Sequence, residues 1–529
     1  PAWLKHQHHP IPNLHVSARA RSSSRTMAFL RVVALASFVC GCSAIGLNTY
    51  ALHAGAKAMQ TQSERNATQQ LGVCGPQAHL FASSANTAYF WSNKNRDSTC
   101  TGAAPYVAPS QLAGGPSWSW KDKTASIVSV HPCIDSERNV YLSNRNGAVR
   151  KFSRDGQLLW ENTEAFAGQS SQVLVGGGVI SDGSIYVGTT HGEVISISMQ
   201  DGSTNWKVKA VPSTGSDSWS LLAHNGMIIT VGRTAGFYLA TDFGGNDMVV
   251  ALDARNGTQL WTFLPQNLVY NFLGSFVDGP PSLVFADWLG LPHRLALCDG
   301  TLLWRNDQAP GGEMSTGGAI VEPSSGRVFA VANHMVNGST HGSVQAYDVT
   351  SGALLWQQAT TMPTNNAPAV GKLTEGSDRL SVVVATGNNP VPRGPLEQAE
   401  RTGFWSDGAP VAWDSRILAL DAATGAPTGW EYTPETYRKP LSYGDSLGDH
   451  LCLPDSWSNA AIGGDGSVYI GHMSGRIFSF HDADRDGVLS ADKGEVTSYF
   501  GERCYQGSPG LAPGMLVATP CDGLHVFNS

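Results

Sequence analysis

Charge is scarce in this sequence, where only 14% of 529 residues are Asp, Glu, Lys or Arg. The formal net charge is -8 and no Lys or Arg cluster stands within the repeats, which excludes the basic face that nucleic-acid binding requires. An acidic balance also repels anionic membranes. The uncharged run from Val32 to Leu47 is shorter than the roughly 20 residues of a spanning helix, so a membrane is reached only through an N-terminal anchor. Cys-x-x-Cys-His is absent, which excludes covalent haem of that kind. Amphipathic helical periodicity is missing as well, and an α-helical fold is excluded with it.

Glycine, by contrast, is abundant, and a tryptophan recurs behind a short polar turn. Gly156 stands with Trp160, Gly202 with Trp206, Gly257 with Trp261, Gly300 with Trp304 and Gly352 with Trp356 at one spacing; Gly425 with Trp430 has one residue inserted. The unit is clearest in VVALDARNGTQLW, ending at Trp261, where two apolar β-prone runs flank an Asp and Gly turn as in a hairpin. Further β-rich runs lie upstream, such as Val140 to Ser143, Met227 to Val231 and Val468 to Gly471. Self-similarity at a period of roughly 40 to 50 residues, with about four short strands per unit, predicts the blades of a propeller.

The recurrent indoles are expected to pack between neighbouring sheets, each NH meeting a backbone carbonyl. Six of them mark outer strands, and Tyr499 with Phe500 fills that place in a seventh unit. An eighth begins at Leu516 and is too short for a whole sheet, while GPSWSWK from Gly115 reads as an outer strand with no hairpin before it. The expectation is an all-β, eight-bladed β-propeller of four-stranded antiparallel blades, its ring closed by pairing of the N- and C-terminal strands.

ALDARNGTQLW and ILALDAATGAPTGW closely resemble the repeats of the pyrroloquinoline quinone (PQQ) dehydrogenases and of their non-enzymatic relatives among the quinoprotein alcohol dehydrogenase-like propellers, over about Phe81 to Ser529. The resemblance implies two site features. VVVATGNNP places Asn388 where those enzymes use an Asn to help hold calcium beside the quinone. Beyond Trp430 the chain keeps Thr433 and Pro434, but the position of the catalytic Asp falls near Tyr437 or Arg438, leaving Asp445, Asp449 or Asp455 as the base of a dehydrogenase. The adjacent Cys pair of the alcohol dehydrogenases is absent.

The sharpest local motif is Asp482, Asp484, Asp486 and Gly487, with Val488 and Ser490 continuing the pattern of a calcium loop. Oxygen ligands at alternate positions converge on one cation, and the Val488 carbonyl adds another. Lys493 replaces the usual closing Glu, so Asp492 or Glu495 is expected to complete the shell. A bare Asp-rich hairpin tip is the alternative. The histidines, among them His191, His334, His341, His450, His472 and His481, lack metal-ligand spacing.

No Asp or Glu precedes Glu64. Residues 1–26 read as a leader or targeting extension, 27–44 as a secretory signal peptide, 45–71 as a linker, 72–114 as an N-terminal strap and 115–529 as the propeller. Cys42 sits in a weak lipoprotein-type cleavage sequence. Seven cysteines follow Ala44, and Cys74–Cys100 and Cys504–Cys521 are the expected local pairs. Asn66, Asn256 and Asn337 open glycosylation sequons.

The functional expectation is a secreted or endomembrane, monomeric binding or scaffold module without proven catalysis, engaging a protein, glycan or small-molecule ligand. The loop from Asn388 to Ser415 and the central channel are its expected recognition surfaces. The alternatives are a PQQ- and calcium-dependent alcohol or sugar dehydrogenase and a lipoprotein assembly scaffold.

Overall fold

The computed structural model describes residues 89–529, apart from 125, 129, 170–173, 175, 216–220, 235–244, 307–311, 313–314, 338, 391–392 and 447–450. These fall in one compact unit, Gln69–Ser529. The leader, signal sequence and linker, with Cys42, Asn66 and Cys74, lie outside the described residues, as do Asp449 and His450.

Among the described residues, thirty-two strands form eight four-stranded antiparallel sheets. Seven are continuous in sequence: blade 1 spans 133–162, blade 2 179–209, blade 3 222–263, blade 4 274–305, blade 5 319–360, blade 6 369–432 and blade 7 461–500. Blade 8 takes Gly510–Ala512, Met515–Ala518 and Gly523–Asn528 from the C-terminal end and Trp118–Lys121 from the other. Trp118 pairs with Val526 and Trp120 with Leu524, so the ring closes as expected. Middle strands such as Val140–Asn144 are buried throughout, because both faces meet a neighbouring blade; outer strands such as Thr204–Lys209 alternate between exposed and half-buried residues.

The repeated Gly and Trp belong to an inter-blade joint. The indole NH of five of the six markers donates to a carbonyl in the next blade: Trp160 to Met199, Trp206 to Ala254, Trp261 to Leu297, Trp304 to Val349 and Trp356 to Ala422, at 2.6–3.2 Å. The ring then covers the turn glycine of that next blade. A Cβ on Gly202 would lie 2.7 Å from the Trp160 ring, and one on Gly352 2.7 Å from Trp304; both glycines also have positive φ. A β-bulge one residue before the Trp turns it toward this neighbour: Lys151 pairs with Trp160 and Phe152 with Leu158, leaving Leu159 unopposed.

Residues 89–112 form a strap that crosses the inner ends of several blades. Trp91 exchanges hydrogen bonds with Ile134 of blade 1, and Ser98 accepts from Phe276 of blade 4. Thr101 accepts from Val370 of blade 6, and Ala104 donates to Ile462 of blade 7. The segment is thus tied to inner strands of blades 1, 4, 6 and 7. Cys100 is carried into the core shared by blades 3 to 6, where it is a buried free thiol donating to the Gly274 carbonyl. The expected Cys74–Cys100 disulfide is therefore corrected.

Candidate functional site

Residues of several blades, together with Lys94 of the strap, line a cavity of about 600 Å³. Blades contribute to it at the ends of their inner strands and connecting loops, so its wall is assembled from residues far apart in sequence. Eight of the 22 wall residues are side-chain amides, among them Asn271, Asn333, Asn365, Asn389 and Asn459. Lys94 from the strap and Arg145 from blade 1 bring positive charge, Asp455 brings a carboxylate, and Tyr270, Trp288 and Trp457 bring aromatic faces.

The amides are held by specific hydrogen bonds. Asn333 donates to Asn365 Oδ1, and Asn365 Nδ2 donates to Asp455 Oδ1 at 3.1 Å. Asn366 Nδ2 donates to the Trp457 carbonyl and Asn389 Nδ2 to that of Leu453, at 2.9 and 2.8 Å. Trp457 is fully buried and packs on His472, whose Nε2 lies 3.1 Å from Ser415 Oγ. Burial lowers the His472 pKa to about 3, so this imidazole is neutral at working pH and not a cation of the site.

Among the candidates taken from sequence, Asn388 and Asp455 both line this cavity. Asp445 does not: its carboxylate accepts from the Cys452 amide at 2.7 Å and pairs with Arg503 at 3.2 Å. Tyr437, at the position implied for the catalytic Asp, is also elsewhere. It is buried with Trp405, Trp413 and Leu441 in a small cluster, with its hydroxyl donating to the Leu441 carbonyl. That cluster organises the loop from Asn388 to Ser415, which includes a short helix, Leu396–Thr402, and exposes Phe404. Reading the sequence missed most of the amide wall, although the doublets Asn365-Asn366 and Asn388-Asn389 were a visible signal.

The acidic loop lies in blade 7, apart from the cavity. Oxygens of Asp482, Asp484 and Glu495 come within 4.8 Å of one another. Glu495 is buried and accepts from the Ala483, Asp484 and Ser490 amides, while Asp482 Oδ2 accepts from Gly487. Asp486 stands outside this trio. The Lys493 ammonium bridges it to Asp484 at 2.7 and 2.5 Å, and that hydrogen bond is the main cause lowering the Asp486 pKa. Val488 is exposed, its amide donating to Asp486.

Three further cysteines converge where the ring closes. Cys452, Cys504 and Cys521 are completely buried together beside Val128. Cys452 Sγ is in bonding contact with both partners, whereas Cys504 and Cys521 stand 3.7 Å apart. The expected Cys504–Cys521 pair is corrected accordingly: Cys452, distant in sequence, lies between them. Asn256 and Asn337 are exposed in turns.

Residues 145–276 and 293–426, half of the chain, match the family of PQQ-repeat propellers described as outer membrane protein assembly factor BamB. The chain belongs to that family. BamB of Salmonella typhimurium is 29% identical over 86 residues, 15% of this chain, and the chain spans only about a fifth (22%) of that relative's length. Among solved structures, BamB from Moraxella catarrhalis superposes with a TM-score of 0.50 at 14% identity, covering 78% of this chain and 98% of the other. A quinohemoprotein alcohol dehydrogenase from Pseudomonas putida reaches 0.55 at 13% identity, covering 83% and 77%. At these identities the likenesses show the shared propeller. Sites are separate from folds, and the PQQ-repeat architecture carries both enzymes and BamB proteins.

Proposed function

We propose that this PQQ-repeat propeller is an extracytoplasmic binding or scaffold protein that captures a polar ligand in its axial cavity. One observation carries the reading: the cavity wall is rich in hydrogen-bonded amides, and the one carboxylate among its described residues, Asp455, already accepts from Asn365. Such a wall recognises shape and hydrogen-bonding pattern; a dehydrogenase also needs a base and a metal shell. The outer membrane assembly named for the BamB relatives supports a protein partner for the rim loops.

A second reading is favoured by the meeting of Asn388 and Asp455 in this cavity, with Lys94 and Arg145 nearby. A PQQ-dependent dehydrogenase would use the two oxygen-bearing side chains toward calcium and the cations toward the quinone carboxylates. The bound quinone would supply the redox chemistry. Titration with PQQ and calcium, followed by dye-linked oxidation of assorted alcohols, separates the two. The expected result is neither quinone absorbance nor dye reduction; uptake with turnover would replace the binding reading by the enzymatic one.

In blade 7, the trio of Asp482, Asp484 and Glu495 supports a structural calcium site, with Asp486, Val488 and Ser490 as its remaining ligands. Lys493 competes with the ion for Asp484 and Asp486. Calcium at a hundredfold excess over its Kd stabilises by about 2.7 kcal/mol. A scanning calorimeter should thus show a higher Tm with calcium, reversal by EDTA and a larger rise in Lys493→Gln. Superimposable melts with and without the ion would leave the loop a plain hairpin tip.

A further inference from the structure

We propose that the axial cavity is a carbohydrate site, taking a neutral, polyhydroxylated ligand such as the end of a glycan; this rests on the binding reading above and names its ligand class. A side-chain amide carries donor and acceptor on one terminus, and each sugar hydroxyl is likewise both. A wall of amides therefore complements vicinal hydroxyls, without the desolvation of charge that an ionic ligand would impose.

The wall also has unmet needs of both signs: Trp457 Nε1 is a buried donor without a hydrogen-bond partner in the protein. Asn271 Oδ1 and Asn389 Oδ1 are buried without a hydrogen-bond partner in the protein. Asn389 is anchored through its Nδ2 on the Leu453 carbonyl, so its oxygen is left as an acceptor at a fixed position in the cavity wall. Acceptors call for donors, and a buried one left unpaired costs about 1–3 kcal/mol. A hydroxyl group supplies both a donor and an acceptor.

An apolar face stands beside these amides. Trp288 is only half-buried and is held against Tyr270, with ring centroids 4.0 Å apart. A fixed, partly exposed indole fits the C–H face of a pyranose, while the ring hydroxyls point outward to the amides. Because Asn333, Asn365, Asn366, Asn389 and Asn459 are already anchored by other bonds, little side-chain entropy is lost on binding. The volume, about 600 Å³, is that of a small-molecule pocket.

The test is calorimetric titration of the mature full chain with glucose, N-acetylglucosamine, maltose and cellobiose, with glucuronate and PQQ plus calcium as comparison ligands. At least one neutral sugar is expected to bind saturably, insensitive to EDTA. Affinity should fall about tenfold or more in Asn271→Ala and Asn389→Ala, as loss of a buried hydrogen bond predicts. Trp288→Phe keeps an aromatic ring on Tyr270 and should weaken the sugar with parental circular dichroism, which separates lost stacking from misfolding. Glucuronate or PQQ binding, with no neutral sugar bound at saturating concentrations, overturns the carbohydrate assignment and leaves a binding cavity. If none of these probes binds, the carbohydrate assignment and the small-ligand reading fall together, leaving only the scaffold role of the rim.

Discussion

A chain lacking Leu516 to Ser529 is expected to be insoluble, or to show neither native circular dichroism nor a cooperative melt. The deletion removes the last strand of blade 8 and most of the strand before it, leaving Trp118–Lys121 without its partner. Leu516, Val517, Leu524, Val526 and Phe527 are all essentially buried. At about 1.5–3 kcal/mol per large apolar side chain, their loss amounts to roughly 8–15 kcal/mol. That matches the whole net stability of a typical domain, about 5–15 kcal/mol. Two unpaired edges would also face solvent, one on the orphaned outer strand and one on the remnant of blade 8. Soluble expression and a thermal melt decide it: a soluble truncated chain melting like the parent would show that closure is dispensable.

The blade count was legible because the joint between blades repeats in sequence. Trp160, Trp206, Trp261, Trp304 and Trp356 each need a flat, Cβ-free surface on the next blade, and each turn needs a left-handed residue; glycine answers both. Selection for one packing event thus leaves two residues at a fixed spacing. What the spacing did not disclose is that Gly202 serves Trp160 of the previous blade and not Trp206 of its own. Local sequence shows which residues recur; it does not show which neighbour they meet. The strap was placed by composition alone, and its path across the channel depends on backbone hydrogen bonds from Trp91, Thr101 and Ala104 that no side-chain pattern records.

The cavity was harder to read for a related reason. An axial wall takes residues from several blades, so Lys94, Asn271 and Asn459 come together without any common spacing. Asn388 was found through resemblance to the dehydrogenase repeats, and Asp455 was only one of three carboxylates that might have accompanied it. Asp445 looks equivalent in sequence but is committed to Arg503 and to the Cys452 amide. The blade 7 loop was more legible, because alternate carboxylates around a glycine are local. Even so, the bridging position of Lys493 required the folded turn.

Replacing Cys452 by Ala should destabilise the propeller more than replacing either of its partners. Cys452 lies in the connection between blades 6 and 7, Cys504 between blades 7 and 8, and Cys521 in the turn before the closing strand. One sulfur bonds one partner at a time, so the cluster contains a disulfide through Cys452 and one remaining thiol. The two alternatives span sequence separations of 52 and 69 residues, each worth about 4 kcal/mol in the chain-entropy account. Cys504→Ala leaves Cys452 free to bond Cys521, and Cys521→Ala leaves it Cys504, so both variants keep a staple at the ring closure. In Cys452→Ala the only pair left spans 17 residues, a weaker constraint of about 3 kcal/mol that no longer ties the blade 6–7 connection to blade 8. Non-reducing peptide mapping with thermal melts of the three variants is the measurement. The lowest Tm is expected for Cys452→Ala, with a Cys452 disulfide in each of the other two. Recovery of Cys452 as the free thiol of the parent, or equal melting of all three variants, would return the pairing to Cys504–Cys521.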